Sequence, residues 1–410
     1  MAPNATRARD YMAKQGVRAL LASSTTNVAY LTGFDCWLYQ KYTENVLVLG
    51  APRARKEVFA ILGEKGNPVL VADSYTSLFA SETEDIDLQC YGEQPRRFMG
   101  GSGLRHVSFF KAAVSRQKAS PLEALVTALG RLGVNSGRVA IERGSMRPET
   151  LKALQRALPR VEFLEGSMLF SLIRMVKTDA EVALLKKAAL VNERALYRSL
   201  AAAKVGIAMD ELVRKFMVEI AKDGAVFDHY FYSPDGLWLS SAPVYPLRKG
   251  EHTIIDSGCT YNLYFGDMGT TIVMGNDRAV TRRYDQLWET ITEVADSVQP
   301  GDRPSDVMKR FGSLYAKQGI SDPDYQGHGI GLEPREYPIM GQGRPVTVED
   351  EVVTTDTEIP LEPGMVISLE TSLYEFGKGS YEVERTFVIK KGSLEELTTK
   401  KDRHVFVGGA

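Results

Sequence analysis

The sequence predicts an α/β N-terminal domain followed by an α+β domain that contains two related halves. The chain has 410 residues, which is more than a single hydrophobic core usually serves. Strand-like and helix-like segments alternate in the first part, and one helical segment of the second part occurs twice. The composition, 44% hydrophobic and 25% charged residues, is that of an ordinary globular protein.

Charge and patterning limit the partners that we expect. The formal net charge of -2 gives no electrostatic reason to bind nucleic acid or an anionic membrane. No apolar run approaches the roughly 18 residues that a membrane-spanning helix needs, and the N-terminus lacks the apolar centre of a signal peptide. Cys36, Cys90 and Cys259 are scattered, without disulfide or zinc-site spacing. These features predict a cytoplasmic protein.

The first domain is predicted from alternating elements. A helix over 6–15 precedes the first of several short, apolar segments that are typical of strands. These strands are predicted at 17–23, 44–50, 67–73 and 137–142. The pattern ends near 161–174, and we therefore predict domains of 1–168 and 169–410.

A long helix opens the second domain. Thr178 and Glu181 have the spacing of a capping box, in which each side chain satisfies a backbone N–H of the first turn. Val182, Leu185 and Ala189 follow at helical spacing on one face. This face is predicted to pack on a core.

The second domain also contains an internal repeat. Residues 205–225 resemble residues 300–320 at a constant offset of 95. The matching pairs are Gly206 and Gly301, Phe216 and Phe311, Ala221 and Ala316, Lys222 and Lys317, and Gly224 and Gly319. Amphipathic helices of similar length can look alike, but coinciding glycines favour a duplication. A duplicated helix-helix-strand unit predicts a pseudo-twofold domain, with a site where the halves meet.

Five polar residues occur in strand-like segments of this domain: Asp256, Asp267, His328, Glu370 and Glu384. Any one of these acids, alone, is more simply a strand-end residue paired with arginine or solvent, and a lone histidine is usually a structural hydrogen bonder. Together, four carboxylates would repel one another strongly. Two divalent cations would neutralise them, and mostly oxygen ligands with one nitrogen suit manganese, cobalt, iron or zinc.

The segments that carry these residues resemble a known family. The stretches IIDSGCTYNLYFGD, GHGIGLE, EPGMVISLE and VERTFVI match the metal-ligand segments of the pita-bread metallohydrolases, over residues 170 to 392. That family includes methionine aminopeptidase, aminopeptidase P, prolidase and creatinase. TTNVAYLTGF (25–34) is similar to a phrase of the N-terminal domain in the prolidase and creatinase branch.

The resemblance implies a pita-bread catalytic domain that uses two divalent metal ions, with manganese preferred over cobalt, iron or zinc. It assigns the ligand roles to Asp256, Asp267, His328, Glu370 and Glu384, and makes Glu370 the general acid/base beside His328. The implied reaction is metal-assisted hydrolysis, in which the metals lower the pKa of the attacking water.

The resemblance also implies a homodimer whose N-terminal domain lies near the partner's active site. Trp37, Tyr39 and Tyr42 follow the N-terminal phrase directly. These aromatic residues either close over the substrate or pack in the dimer interface, and the sequence leaves both alternatives open.

The sequence departs from the proline peptidases around the substrate. Their second histidine, seven residues after the ligand histidine, is replaced by Arg335. Another histidine, before the first aspartate, is missing from 236–246, and His229 is the nearest substitute, about ten positions too early. Glu382 stands where the family has arginine, and Arg385 where it has aspartate. The metal site is therefore predicted to be intact and the substrate site to be altered.

Two of these residues have alternative interpretations. Arg335 either binds a substrate carboxylate or forms an ion pair with Glu336, Glu382 or another local acid. His229 is either a site residue or a buried structural histidine. The remaining histidines lie in polar segments and are predicted at the surface: His106, His252 and His404.

The leading function is a dinuclear metal-dependent hydrolase of amide or imide C–N bonds in a small molecule or dipeptide, nearest to Xaa-Pro dipeptidase. One alternative keeps the fold but changes the chemistry, as in ectoine hydrolase, which opens a cyclic amidine, or in the lyase that acts on dimethylsulfoniopropionate. Metal-free creatinase chemistry is disfavoured by the five ligand residues. A further alternative is a non-catalytic peptide-binding module of the same fold.

Overall fold

The computed structural model describes residues 3–35, 57–74, 76–82, 85–92, 105–241, 245–399 and 406–407. The chain divides into two compact units, Met1–Ile173 with Val348–Thr354 and Arg174–Thr347 with Thr355–Ala410. The sequence predicts domains of 1–168 and 169–410; in the structure the short segment 348–354 belongs to the first unit. The strand predicted at 44–50 lies outside the described residues, as do Trp37, Tyr39 and Tyr42.

In the first unit, the described strands form one mixed six-stranded sheet. The strands are β1 (Val17–Ala22), β2 (Phe59–Gly63), β3 (Val69–Asp73), β4 (Asp87–Tyr91), β5 (Gly137–Ile141) and β6 (Val161–Glu165). Their order is β4-β3-β2-β1-β5-β6; β2 is antiparallel to β1 and β3, and the other neighbours are parallel. The helices along this part of the chain are α1 (Ala5–Gln15), α2 (Thr25–Thr32), α3 (Arg105–Val114), α4 (Pro121–Arg131), α5 (Pro148–Ala157) and α6 (Ser167–Arg174), with a 3-10 helix at Thr76–Glu82.

The predicted α/β class of this unit is confirmed, and strands β1, β3 and β5 lie where the sequence predicts them. Strand β2 is not predicted from the sequence. All five of its residues are buried, so the run shows no alternation between apolar and polar positions. A short apolar run of this kind fits a buried strand and a buried helix equally well.

The second unit combines helices with one large sheet. The helices are α7 (Asp179–Leu200), α8 (Met209–Ala221), α9 (Arg278–Ser297) and α10 (Pro304–Gln318). The strands of the large sheet are β7 (Val226–Tyr232), β8 (His252–Tyr261), β9 (Tyr264–Val273), β10 (Asp324–Gly329), β11 (Glu336–Met340), β14 (Val366–Glu375), β15 (Gly379–Ile389), β16 (Leu394–Glu396) and β17 (Phe406–Val407). Strands β12 (Thr347–Glu349) and β13 (Thr354–Asp356) pair with each other in a separate two-stranded sheet that includes residues of the segment 348–354. The main path of the sheet is β11-β10-β14-β15-β8-β9-β17, with β7 beside β8 and β16 beside β15.

Helix α7 begins as the sequence predicts. The hydroxyl of Thr178 accepts a hydrogen bond from the N–H of Glu181, and the Glu181 carboxylate accepts one from the N–H of Thr178 at 2.8 Å. Leu185 and Ala189 are buried, and Val182 packs against the same cluster. The capping box therefore fixes the first turn of a helix whose apolar face lies in the core.

The internal duplication is confirmed by the fold. Each half consists of a long helix, a shorter helix and an antiparallel three-stranded ladder: α7, α8 and β7-β8-β9 in the first half, and α9, α10 and β10-β14-β15 in the second. Phe216 and Phe311 are both completely buried. The four glycines that match across the repeat, Gly206, Gly301, Gly224 and Gly319, all have positive φ angles. Both copies thus need glycine at the same two turns, which explains why these residues coincide.

The two faces of the central strands have different environments. Ile255 and Cys259 of β8, and Met268 and Ile272 of β9, join a core cluster that also contains Phe216. Because successive residues of a strand point to opposite faces, the residues at the alternate positions, which include Asp256 of β8 and Asp267 of β9, lie on the other face, which we call the site face. Within the described ranges, no helix has both the length and the hydropathy that a membrane crossing requires.

Candidate metal centre

The five residues predicted to bind metal come together on the site face. Glu370 on β14 is directly opposite Glu384 on β15 in the antiparallel ladder. His328 on β10 lies beside both, with its Nε2 atom 3.7 Å from Glu370 Oε1 and 3.5 Å from Glu384 Oε1. Asp256 on β8 and Asp267 on β9 lie one diagonal apart, because Asp267 pairs with the residue two positions after Asp256.

Two groups of side chains have the spacing that could hold a cation. One consists of His229, Asp256 and Asp267, and the other of Asp267, His328 and Glu384; within each, the potential ligand atoms lie within 4.8 Å of one another. Asp267 belongs to both groups, as expected for a carboxylate that contributes to two neighbouring metal subsites. Glu370 adjoins the second group through His328.

Two further observations fit divalent cations. Asp267 Oδ1 is buried and has no hydrogen-bond partner among the described residues, an arrangement that is costly unless a cation or a polar ligand approaches. Ser368 donates a hydrogen bond of 2.6 Å to Glu384 Oε1 and so orients that carboxylate. Carboxylate oxygens with imidazole nitrogens are also the donor set of dinuclear hydrolase centres.

Crowding of the carboxylates perturbs their protonation. Burial and the negative charge of Glu384 raise the pKa of Glu370 to about 8. Burial also raises the pKa of Asp256, which the contact with His229 partly offsets. Burial alone would lower the pKa of His328, but its contacts with Glu384 and Glu370 raise it to about 9. Negative charge on these buried carboxylates is therefore unfavourable unless a cation neutralises it.

A further carboxylate, Glu382, lies on the same face, and the sequence assigns it no role. It lies two residues before Glu384 on β15, and the alternation of that strand places both side chains on one face. Its Oε1 accepts a hydrogen bond from Ser372 at 3.1 Å, whereas its Oε2 is buried without a partner among the described residues. Burial and the charge of Asp256 raise the pKa of Glu382 well above the ordinary value.

Arg335 contacts the centre from its more exposed side. Its Nη2 donates to Glu370 Oε1 at 2.7 Å, and its Nη1 donates to Gln326 Oε1 at 2.8 Å. Of the two interpretations from the sequence, the ion pair is therefore present, and its partner is another local acid, Glu370. About half of the Arg335 side chain, 52%, remains exposed.

His229 lies inside the centre. Its Nε2 is 3.0 Å from Asp256 Oδ1 and 3.4 Å from Asp267 Oδ1, and its Nδ1 is 2.7 Å from Asp228 Oδ2. Spacing along the chain relates His229 only to the missing peptidase histidine, and gives no indication that it touches two aspartates. The pairing of Phe231 with Asp256 in the β7–β8 ladder brings it there.

The segment that lacks the family's histidine contains an exposed tryptophan instead. Trp238 is 66% exposed, and its ring stacks on Tyr374 with 5.4 Å between centroids. Tyr374 lies four residues after Glu370 on β14, so strand alternation places both on the site face. An aromatic pair thus borders the centre on this side.

The prediction that His252 lies at the surface is wrong. His252 is buried, and its ring lies 4.5 Å from that of Tyr381, centroid to centroid. A polar neighbour, Glu251, suggests exposure in the sequence, but His252 pairs with Gly379 of β15, and its ring lies against that glycine. The side chains of His106 and His404 lie outside the described residues.

A buried ion cluster lies at the turn between β10 and β11. Glu336 accepts hydrogen bonds from Arg174 at 2.8 Å and from Lys177 at 3.0 Å, and also from the N–H of Leu332. Burial alone would raise the pKa of Glu336, but the charges of Lys177 and Arg174 hold it below the ordinary value of 4.5. The cluster fixes the segment that follows His328.

Comparison with known proteins extends this description. A family model described as Metallopeptidase family M24 matches residues 183–391, and one described as Creatinase/Prolidase N-terminal domain matches residues 5–176. The first match includes the two groups of potential ligands.

The relatives have low sequence identity. A creatinase from Bacillus sp. (strain B-0618) is 23% identical over 419 residues, which cover 96% of this chain and 89% of the relative. A Xaa-Pro dipeptidase from Pyrococcus furiosus is 26% identical over 242 residues, or 55% of this chain and 64% of the relative. A solved dipeptidase structure from Pyrococcus horikoshii OT3 superposes with a TM-score of 0.73 at 21% identity, covering 98% of this chain and 99% of that one. The structural likeness concerns the fold alone.

Proposed function

Since this chain belongs to the metallopeptidase family M24, we propose that it is a dinuclear metal-dependent hydrolase of amide or imide C–N bonds in small substrates, nearest to a Xaa-Pro dipeptidase. Support comes from the family, from relatives that include a Xaa-Pro dipeptidase, and from the arrangement of the candidate centre. The reaction class follows from the family and the candidate centre, whereas the identity of the substrate is proposed in addition.

One observation carries the hydrolytic function: two groups of potential ligands share Asp267. Two divalent cations bound there would lower the pKa of the attacking water and stabilise the negative charge that develops on the substrate oxygen. Asp256, Asp267, His328, Glu370 and Glu384 are the side chains that would hold these cations. Their strands fix the geometry before substrate arrives.

Glu370 is the group that we propose to move the proton. Burial and Glu384 favour its protonated form, while Arg335, which donates to Oε1, favours the carboxylate. A carboxyl group held between these two influences can accept a proton from water and deliver it to the leaving nitrogen. The exposed part of Arg335 would bind the free carboxylate of a dipeptide.

Manganese is the metal that we propose for reconstitution, since carboxylate ligands predominate. The homodimer, and the approach of the N-terminal domain to the partner's active site, stay predictions, as does a cytoplasmic location.

We expect the Mn²⁺-loaded protein to release free proline from Xaa-Pro dipeptides, and His328→Ala to abolish this release because the imidazole ligand is lost. The measurement is a proline assay on a panel of Xaa-Pro dipeptides, with metal-loaded, folded protein. Turnover that the variant loses supports the proposal. Absence of turnover by the loaded wild type would contradict the dipeptidase part of it.

A second candidate function is hydrolysis of a non-peptide amide or of a cyclic amidine. The residues that replace the peptidase histidines near the centre favour it. Arg335 occupies the position of one peptidase histidine, and the described part of 236–246 contains Trp238 and no histidine. Such residues suit a substrate with a planar or apolar part. Turnover of cyclic amidines or amides in the absence of dipeptide cleavage would support this candidate. The lyase and the non-catalytic binding module have no such support in the structure.

A further inference from the structure

We propose that His229 is itself a metal ligand, which binds through Nε2 and completes the subsite formed by Asp256 and Asp267. This inference rests on the proposed dinuclear centre and adds to it. The family resemblance supplies five ligand positions, and His229 is not among them. Each subsite would then contain one imidazole: His229 in the first and His328 in the second.

The distances support direct binding. Two ligand atoms that each lie about 2.0–2.2 Å from one cation stand roughly 3.0–3.5 Å apart at octahedral to tetrahedral angles. His229 Nε2 lies 3.0 Å from Asp256 Oδ1 and 3.4 Å from Asp267 Oδ1. His229 Nε2 therefore has the spacing of a neighbouring ligand to each of the two carboxylate oxygens, and all three residues offer ligand atoms within 4.8 Å of one another. Asp267 Oδ1 has no hydrogen-bond partner among the described residues.

The other ring nitrogen of His229, Nδ1, contacts a carboxylate, as is common in histidines that bind a metal. Nδ1 lies 2.7 Å from Asp228 Oδ2. With a proton on Nδ1 donated to Asp228, the lone pair of Nε2 faces Asp256 and Asp267. A carboxylate that fixes the tautomer and orientation of a histidine in this way is a common second partner of metal-ligating imidazoles.

Packing fixes the plane of the ring. The imidazole stacks on Phe231, with 4.9 Å between centroids and 13° between planes. Gly258 also lies against the ring, and a Cβ atom there would be 2.2 Å from His229 Cε1. Gly258 is part of the Asp-Ser-Gly segment that begins at Asp256. In this chain, that glycine provides the space that the ring of His229 needs.

A competing interpretation is that His229 is only a cationic partner of the two aspartates. Its contacts alone are compatible with an imidazolium between carboxylates. The two roles predict opposite effects on metal binding. A ligand strengthens it, whereas a cationic partner competes with the metal for the same carboxylates.

The ligand role has a consequence for metal preference. Imidazole suits zinc, iron and related metals more than it suits manganese, whereas carboxylates alone suit manganese and magnesium. The loss of His229 should therefore weaken binding of Zn²⁺ or Co²⁺ at the first subsite more than binding of Mn²⁺.

The test is a titration of the full chain with Co²⁺, followed by calorimetry and by the visible absorption spectrum of the bound metal. We expect the wild type to bind two equivalents. His229→Ala should weaken one of them by at least about 10–100-fold, the range seen when even an outer partner is removed, and should change the Co²⁺ spectrum. Asp228→Asn, which keeps the ligand but loosens its ring, should show a smaller loss in the same equivalent.

His252→Gln is the matched control, because it replaces a buried histidine of the same sheet that lies outside both groups. It should bind two equivalents with the wild-type spectrum. The ligand role would be overturned if folded His229→Ala bound two equivalents of Co²⁺ at least as tightly as the wild type and with the same spectrum. That result would leave the proposed function intact. A wild type that binds no Co²⁺ would overturn both.

Discussion

Replacing Asp267 with asparagine is expected to weaken metal binding at both subsites at once and to abolish metal-dependent hydrolysis. Asp267 is the member shared by the two groups of potential ligands, and an amide is a weaker, neutral donor. Since removal of an outer partner costs about 10–100-fold in affinity, loss of this carboxylate should cost at least about 100-fold. The measurement is a calorimetric titration with Mn²⁺, together with the assay for released product.

A matched control is Asp322→Asn, the same change at an exposed turn residue with a positive φ angle, where asparagine is well tolerated. It should bind metal as the wild type does. In chelator, Asp267→Asn should unfold at no lower temperature than the wild type, because one source of repulsion between buried carboxylates is removed. Two equivalents bound with wild-type affinity by Asp267→Asn would contradict the shared position of this residue.

The largest expected loss of stability comes from Glu336→Gln. The carboxylate of Glu336 is buried between Arg174 and Lys177, whose side chains are only 6% and 1% exposed. The glutamine variant would remove the carboxylate that neutralises Lys177 and one of the two carboxylates that contact Arg174, the other being Glu333. Breaking a buried ion pair in this way typically costs about 3–5 kcal/mol, which chemical denaturation would measure as a lower free energy of unfolding.

Glu395→Gln is the matched control, because Glu395 and its partners Lys186 and Lys390 are all about half exposed. Its cost should stay below about 1 kcal/mol. The stability difference between wild type and Glu336→Gln should also depend on pH. Because the pKa of Glu336 is lowered in the folded protein, the difference is complete above 4.5 and is lost as the pH falls further. A difference that stays constant down to acid unfolding would show that Glu336 is not the ionised member of the cluster.

Sequence reasoning works well for this chain wherever a local rule decides the outcome. The capping box at Thr178 depends on only four residues, and the paired glycines at 224 and 319 each require a left-handed turn. Strand β2 is missed although β3, which is buried at all of its positions as well, is predicted; a short apolar run such as FAILG fits a buried helix as well as a buried strand. Its assignment needs the neighbours β1 and β3, which no short window of sequence contains.

In the candidate site, too, some residues can be named from the sequence, whereas others are placed by the pairing of distant strands. The resemblance names Asp256, Asp267, His328, Glu370 and Glu384, and the strands bring them together. The location of His229 depends on the register between β7 and β8, which the separation along the chain does not give. A signal was present: Asp228 directly precedes His229, and an acid beside a histidine can fix its tautomer.

The charge of the substrate side was also only partly predictable. Glu382 differs from the family pattern, but its burial on the site face follows from the pairing of β15 with β14, where it is opposite Ser372. The sequence predicts that Arg335 binds a substrate carboxylate or forms an ion pair with a nearby acid. Its contact with Glu370 depends on how β10, β11 and β14 lie together. Long-range pairing, rather than local preference, decides both cases.

The number of divalent cations bound by the purified wild-type chain, determined by equilibrium dialysis against Mn²⁺ and elemental analysis, is the decisive measurement for the dinuclear centre. We expect two equivalents per chain, one for each group of ligands around Asp267. A chain that is folded and binds none, or only one, would contradict a dinuclear centre and with it the hydrolytic function proposed for this site.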